Sequence, residues 1–204
     1  ALIKKSVYLL VGFRQSVSHD PELGTRNLRF GIFRITDMIQ SGVVSDYSVF
    51  FMNINGTGEM NNQIGRDNGT TVMRGFVKEL ESILEDPEAV WRVGGDNLGA
   101  VVLKSKVDQF LGLLHGVYVP FGPHEEECYR ISATAGVCPG SNEFHKTSEI
   151  VDAAQICMNT ARFVRHTPVL FYDRQMIRMM ENAKHIEQAF PEAIANEEFR
   201  VYYQ

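Results

Sequence analysis

The chain has 204 residues and a hydrophobic fraction of 44%, enough to bury one sizeable core or two small ones. Its formal net charge of −5 argues against nonspecific nucleic-acid binding, which needs clustered lysines and arginines. No apolar run approaches the roughly 20 residues that cross a bilayer, so we predict no membrane contact within this chain. The cysteines lack metal-ligand spacing, and we expect all of them to be reduced and buried in a cytoplasmic protein. They are Cys128, Cys138 and Cys157.

The first predicted elements are two helices separated by turns. Apolar residues at helical spacing predict a linker helix over residues 1–18, entering from an upstream domain. Because the chain starts without methionine, we expect it to be a fragment excised from a longer protein. A turn-rich stretch from His19 to Asn27 precedes the second predicted helix, over residues 28–39.

Two strand-like segments with an amphipathic helix between them organise the chain. The first is the apolar run over residues 49–55, and the second extends through residues 91–102. A Gly-Gly-Asp-Asn run inside the second segment predicts a tight hairpin, because glycine supplies the positive φ that such a turn needs. If the two segments are neighbours in one sheet, Asn53, Asn55 and Asp96 meet at one edge. We expect the chemistry of the protein at that edge.

The rest of the chain alternates helices and strands. Apolar spacing predicts helices over residues 72–84, 105–115 and 148–164, and strands over residues 129–138 and 168–172. Ser105 and Asp108 resemble a capping box at the start of the second of these helices. Residues 116–127 hold two prolines and three consecutive glutamates, and they are expected to form a surface loop. This alternation suits a single α/β sheet domain.

The hairpin and the strand before it carry a specific resemblance. Gly94-Gly95-Asp96-Asn97-Leu98 is similar to the Gly-Gly-Asp/Glu-Glu-Phe signature of the GGDEF family, the diguanylate cyclases. In the same register, the family's Asp-x-Asp strand end falls at Asn53 and Asn55. The resemblance implies a degenerate GGDEF domain over residues 19–173. It also implies a fold of the α/β (α+β) class, a ferredoxin-like nucleotidyl-cyclase palm whose central, mostly antiparallel sheet is flanked by helices.

The departures from the family pattern concern the metal site. A diguanylate cyclase joins two GTP molecules with two divalent ions, which activate a 3′-hydroxyl and hold the triphosphate. By resemblance, the metal-binding acids fall at Asn53, Asp96 and Asn97, of which only Asp96 is charged. Asp96, and more weakly Asn53, remain as candidate ligands for Mg²⁺. We therefore predict that no catalytic residue is intact, and that cyclase turnover is lost.

The resemblance also implies nucleotide-binding positions. Asn61 matches the asparagine that contacts the guanine edge, whereas the family's guanine-binding aspartate is replaced by Thr70. Arg162 stands in the place of a phosphate-binding lysine, and His166 in that of a second basic residue. The run Gly56-Thr57-Gly58 falls at the loop whose main-chain N–H groups face the phosphates. From composition alone, this run is also typical of a flexible turn, and Arg162 of a solvated charge.

The end of the chain indicates a tandem protein. Residues 174–204 are predicted to hold a linker helix and the first strand of a truncated EAL phosphodiesterase domain, because Glu197 to Gln204 resembles the start of that domain. Our leading hypothesis is an inactive regulatory domain that binds GTP or a related nucleotide and modulates the EAL domain. Two alternatives stay open: a structural module that forms a homodimer or docks a partner, and a residual cyclase that makes cyclic di-GMP.

Overall fold

The computed structural model describes residues 18–123 and 126–173, together with Ile194 and Asn196. The chain divides into two compact units, of which the first ends at Phe171 and the second begins at Tyr172. The predicted N-terminal linker helix, and the predicted helix and EAL-like strand of residues 174–204, fall almost entirely outside the described residues.

Within the described residues, the first unit contains eight β-strands and five α-helices. The strands are β1 (Arg26–Asn27), β2 (Tyr47–Ile54), β3 (Ala89–Gly94), β4 (Asn97–Leu103), β5 (Val117–Phe121), β6 (Glu127–Ile131), β7 (Ala133–Pro139) and β8 (Val169–Phe171). The helices are α1 (Leu28–Gln40), α2 (Thr57–Ile64), α3 (Arg66–Glu81), α4 (Val107–Leu114) and α5 (Thr147–Thr160). Short 3₁₀ turns lie at Val44–Asp46 and Lys104–Lys106, and a π-helical turn covers Ala161–Arg165.

Six strands form one sheet in the order β1-β3-β4-β2-β7-β8, and β5 pairs with β6 in a separate hairpin. The three central pairings of the six-stranded sheet are antiparallel. The pairings at its two edges, β1 with β3 and β7 with β8, are parallel. The predicted fold, a mostly antiparallel central sheet flanked by helices, is therefore confirmed.

Strand β2 lies at the centre of the sheet, and seven of its eight residues are buried. Because side chains alternate between the two faces of a strand, Phe50, Met52 and Ile54 enter the main core with α3 and α4. Asn53 lies on the opposite face, which α5 covers. Burying each large apolar side chain contributes about 1.5–3 kcal/mol. The core therefore determines the register of β2 and, with it, the face that Asn53 occupies.

The prediction for residues 116–138 is wrong in part. The expected loop and single strand are a separate hairpin, β5–β6, followed by β7 in the main sheet. Pro120 is tolerated in β5 because a two-stranded hairpin has open edges, where a missing N–H costs little. The exposed Glu127 begins β6, and residues 124–125 lie outside the described part of the chain.

Several predicted helix boundaries also need correction. Helix α3 begins at Arg66, earlier than predicted, and α2 was missed because its glycines and polar residues hide the apolar spacing. The Ser105–Asp108 capping box does not form, because α4 begins only at Val107. The helix predicted over residues 148–164 begins at Thr147 and changes from α to π after Thr160. Within the described residues, no helix is both long and apolar enough to cross a membrane.

The cysteine prediction holds for two positions of three. Cys138 and Cys157 are free and buried, whereas Cys128 is free but exposed on β6, so the expectation of burial is wrong there. Burial raises the pKa of the Cys138 thiol to about 12 and that of the Cys157 thiol to about 11. Both buried thiols therefore stay protonated at neutral pH.

Candidate functional site

Two strand ends meet at one edge of the sheet, as predicted. In the register of the sheet, Asn53 on β2 lies opposite Asn97 on β4. Its Nδ2 donates to Asp96 Oδ1 at 2.8 Å and to Asn97 Oδ1 at 3.0 Å. The turn between β3 and β4 brings Asp96 here through Gly95, whose φ of 58° is a conformation that glycine reaches without strain. Asn55, which we expected beside Asp96, instead bonds to side chains at the start of β7.

Arg162 completes the hydrogen bonding of the Asn53 amide. Asn53 is 2% exposed, and its Oδ1 accepts from Nη1 of Arg162. The charges of Asp96 and Arg162 determine the orientation of this amide. The reverse orientation would place the amide oxygen against the Asp96 carboxylate and the NH₂ group against the guanidinium. Arg162 is thus bonded to the sheet edge and is not simply a solvated charge.

Asp96 also contacts the first turn of α2. Its Oδ2 accepts from Oγ1 of Thr57 at 3.2 Å, and its main-chain oxygen accepts from the N–H of Ile54 at 2.9 Å. Gly56 precedes the helix with a φ of 67°. The run Gly56-Thr57-Gly58 therefore begins a helix and does not form an open loop. A role for its N–H groups toward phosphate stays a prediction.

A cleft of about 460 Å³ opens beside Asp96. Four residues that the sequence singled out line it: Thr57, Asn61, Thr70 and Asp96. Its other lining residues are Glu22, Arg66, Met73, Arg92 and Gly95. The structure thus brings together one part of the predicted nucleotide site, while the predicted Gly56, Gly58, Arg162 and His166 are not among the residues that line this cleft.

Asn61 lines this cleft and carries an orphaned polar atom. Its Oδ1 is buried without a hydrogen-bond partner among the described residues. The oxygen packs against Gly69, where an added Cβ would lie 2.1 Å from it. A buried acceptor without a donor costs about 1–3 kcal/mol, and a ligand would recover this cost only by turning the amide toward the cleft. The hydroxyl of Thr70, by contrast, already donates to the main-chain oxygen of Arg66 at 3.0 Å.

Arg92, which no sequence pattern predicted as a site residue, holds the hairpin turn in place. Its Nη1 donates to Asp20 Oδ1 at 3.1 Å and to Glu22 Oε2 at 2.5 Å. Its Nε and Nη2 donate to the main-chain oxygen of Gly95 at 3.0 and 2.9 Å. Burial acts to lower the pKa of Arg92, but the hydrogen bonds to Glu22 and Asp20 outweigh burial and raise the pKa. An arginine shortly before a Gly-Gly turn was the available signal.

The π turn at the end of α5 separates the two predicted basic ligands. Arg162, its second residue, bonds to Asn53, and its guanidinium carbon lies 5.1 Å from the centre of the Phe163 ring. His166 follows the turn in a left-handed conformation with a φ of 50°. It is exposed and does not line the cleft beside Asp96. Its role toward phosphate stays a prediction.

A family model described as "Diguanylate cyclase, GGDEF domain" matches residues 29–164, more than half of the chain. The chain belongs to the GGDEF family. GGDEF domains are parts of cyclic di-GMP signalling proteins, and they generally use Mg²⁺. No curated protein matches this chain.

Solved structures of other GGDEF domains share the fold. The GGDEF domain of TpbB (YfiN) from Pseudomonas aeruginosa has a TM-score of 0.66 at 17% identity, over 80% of this chain and 99% of that one. The coiled coil and GGDEF domain of DgcB from Caulobacter crescentus, in complex with c-di-GMP, has a TM-score of 0.67 at 12% identity, over 83% and 93%. Diguanylate cyclase SiaD from Pseudomonas aeruginosa, in complex with its activator SiaC, has a TM-score of 0.64 at 17% identity, over 83% of this chain and 67% of that one. At such identities the likeness shows the fold alone.

The residues of this GGDEF domain do not fit a magnesium ion at the sheet edge. Mg²⁺ demands near-octahedral oxygen ligands and is usually held by one or two carboxylates together with substrate phosphates. In the described part of the chain, Asp96 is the sole carboxylate bonded to Asn53, whose own oxygen faces a guanidinium. No group of three or more His, Cys, Asp or Glu side chains among the described residues could hold a metal ion.

Proposed function

We propose that this GGDEF domain is catalytically inactive and acts as a regulatory, nucleotide-binding domain of a cyclic di-GMP signalling protein. The observation that carries the proposal is the identity of Asn53 and its hydrogen bonding. A neutral amide stands where the resemblance implies a metal-binding acid, and the amide oxygen accepts from Arg162. Cyclisation of GTP needs triphosphates held by metal ions, and Asp96 is the carboxylate left to hold them.

The missing charges account for a large loss of rate. A unit charge pair at about 4 Å, with an effective dielectric constant of about 20, contributes roughly 4 kcal/mol. Losing one such interaction in the transition state costs about a thousandfold, since each ~1.4 kcal/mol is a factor of ten. Asn53 and Asn97 each replace an acid, so two such interactions are lost. We expect no measurable cyclic di-GMP from this domain.

Nucleotide binding is supported by the cleft beside Asp96. Its volume of about 460 Å³ lies within the range of about 300–1,000 Å³ that is usual for small-molecule sites. The Asn61 oxygen there has no partner among the described residues, and an amide can both donate to and accept from a purine edge. GTP or a related nucleotide is the proposed ligand. Thr70, in place of an aspartate, weakens the preference for guanine.

In the full-length protein, the proposed target of regulation is a C-terminal EAL phosphodiesterase domain in the cytoplasm. The support for this is the similarity of Glu197 to Gln204 to the start of an EAL domain. A nucleotide shifts the activity of a neighbouring domain only if it binds two states of the protein with different affinity. The proposal therefore requires that nucleotide binding and EAL activity be coupled.

A purely structural role is the second candidate, because two large apolar side chains are adjacent on the surface. Phe163 and Val164 are 65% and 66% exposed. Contiguous exposed apolar side chains are typical of surfaces that contact another protein. A homodimer or a docked partner would cover them, and nucleotide binding would then be unnecessary for the function of the domain.

Calorimetric titration of the 204-residue chain with GTP and Mg²⁺, followed by chromatography of the products, tests the proposal. Binding heat without cyclic di-GMP is the expected result. Asn61→Leu should abolish the heat, whereas Asn62→Leu, at an exposed position of the same helix, should preserve it. Cyclic di-GMP among the products would establish a residual cyclase. A concentration-dependent dimer in light scattering without any binding heat would favour the structural module.

A further inference from the structure

We propose that the guanidinium of Arg162 is a resident cation that takes the place of a divalent metal ion in this domain. The inference goes beyond the proposed function, because a resident cation does not depend on whether a nucleotide binds. It rests on three features of the structure: the hydrogen bonds of Asn53, the use of the Asp96 oxygens, and the charge balance at the sheet edge.

The Asn53 amide links the cation to the anion. Its oxygen accepts from Arg162, and its nitrogen donates to Asp96 and Asn97. An amide nitrogen has two hydrogens, so these two bonds use its whole donor capacity. Burial of Asn53, which is 2% exposed, keeps water from competing for these bonds.

The Asp96 carboxylate is engaged through both of its oxygens. Oδ1 accepts from Asn53 at 2.8 Å, and Oδ2 accepts from Thr57 at 3.2 Å. A carboxylate has about four lone-pair sites, so these bonds do not exclude a metal ion by themselves, but an ion at this carboxylate would face the hydrogen-bearing end of the Asn53 amide. That end carries partial positive charge and repels a cation.

The charges at the sheet edge already balance. Asp96 contributes one negative charge and Arg162 one positive charge, joined through the Asn53 amide. A divalent ion would add two positive charges beside a guanidinium, and like charges at short range repel each other. This cation is a covalent part of the chain, so a chelator cannot remove it.

The position of Arg162 is itself supported by its surroundings. The π turn Ala161–Arg165 follows α5 directly, and α5 packs on β2 and β7. The guanidinium carbon lies 5.1 Å from the centre of the Phe163 ring, within the range of a cation–π contact. Short π turns inside helices are frequent at functional sites. The same turn carries Arg165, for which no hydrogen bond or ion pair is found among the described residues, and which serves as a matched control.

Electron paramagnetic resonance of Mn²⁺ in the presence of the full 204-residue chain measures metal binding without any nucleotide. The unaltered chain is expected to bind no Mn²⁺ through Asp96, so its signal should equal that of Asp96→Asn. Asn53→Asp restores a second carboxylate. In that background, Arg162→Met is expected to tighten Mn²⁺ binding about tenfold or more relative to Arg165→Met, because it removes the repelling charge.

Two results would overturn the proposal. One is Mn²⁺ binding by the unaltered chain that Asp96→Asn abolishes. The other is equal Mn²⁺ affinity of Arg162→Met and Arg165→Met in the Asn53→Asp background. Near-ultraviolet circular dichroism would show whether the Arg162→Met variant folds poorly. Arg162→Lys in the same background keeps a cation, so it should still exclude Mn²⁺. A failure of GTP to bind would contradict the proposed function and leave this result unaffected.

Discussion

The side chain of Asn53 directs its amide oxygen at Arg162, 109 residues later in the sequence, and its NH₂ group at Asp96. One buried amide therefore connects a cation and an anion that come from different elements of the fold. Removing Arg162 leaves the buried Asn53 oxygen without this donor, and removing Asp96 leaves the Asn53 nitrogen with only its bond to Asn97. The network is therefore sensitive to single substitutions that would be expected to have little effect from the change in charge alone.

Replacing Arg162 by methionine should destabilise the domain by about 1–3 kcal/mol, because it leaves the buried Asn53 oxygen without a donor. The free energy of unfolding from urea denaturation measures this loss. Arg165→Met removes an arginine from the same turn without touching Asn53, and it should change stability by no more than about 0.5 kcal/mol. Equal effects of the two substitutions would mean that the Arg162 bond contributes little to folding.

Replacing Arg92 by lysine should loosen the signature hairpin. The guanidinium contacts Asp20, Glu22 and the oxygen of Gly95 together, whereas a lysine ammonium cannot span all three in one fork. We expect a loss of about 1–3 kcal/mol, consistent with removing hydrogen bonds to partly buried charged groups. Hydrogen exchange of the Ile54 amide, which donates to the main-chain oxygen of Asp96, should quicken as well. Unchanged protection of that amide from exchange would show that the turn keeps its conformation without the Arg92 guanidinium.

Gly136→Ala should disrupt the contact between β7 and α5. A Cβ at this position would lie 2.0 Å from the main-chain oxygen of Ala154, so backbone has to move, at a cost of about 1–3 kcal/mol. Gly112→Ala is the matched control, because a Cβ there meets nothing within 4 Å. Since alanine favours helices, that control should stabilise α4 by up to about 1 kcal/mol. Thermal unfolding of both variants measures the contrast.

The thiols should differ in reactivity. Only Cys128 is exposed, so Ellman's reagent at mildly alkaline pH should modify one thiol quickly, and Cys128→Ser should abolish that phase. Burial raises the pKa of Cys138 to about 12 and that of Cys157 to about 11. Their contribution to stability is complete below pH 9.0 and is lost as pH rises toward these values, because the unfolded chain releases its protons first. Rapid modification of all three thiols in the folded chain would contradict the burial.

Thr70→Asp should increase the preference of the cleft for GTP over ATP. Thr70 lines the cleft with Asn61, and a carboxylate there can accept from the N1–H and 2-amino groups of guanine, both of which adenine lacks. A polar site of this kind rejects an analogue without the matching donors by at least about tenfold. Competition binding measures the ratio. Thr71→Asp, at an exposed position of the same helix, should leave the ratio unchanged.

The central strands, the Gly-Gly hairpin and the meeting of Asn53 with Asp96 could be predicted from the sequence. Each depends on a local pattern: an apolar run, a glycine pair, or a polar residue at the end of a strand. The β5–β6 hairpin could not, because its prolines and glutamates are typical of loops. Helix α2 was missed for a similar reason, since Gly56 and Gly58 break the apolar spacing on which a helix prediction depends.

By itself, the sequence determined the charges: one acid, Asp96, remains where the family pattern has several. Only the tertiary structure decided what those charges contact. The partner of Asn53 is Arg162, 109 residues away, and the contact exists because β2 presents one face to α5 and a π turn follows that helix. Arg92 likewise acquires its role only when the Asp20 loop packs beside the hairpin. Residue identity is local information, whereas the direction of a buried amide depends on groups that folding brings together.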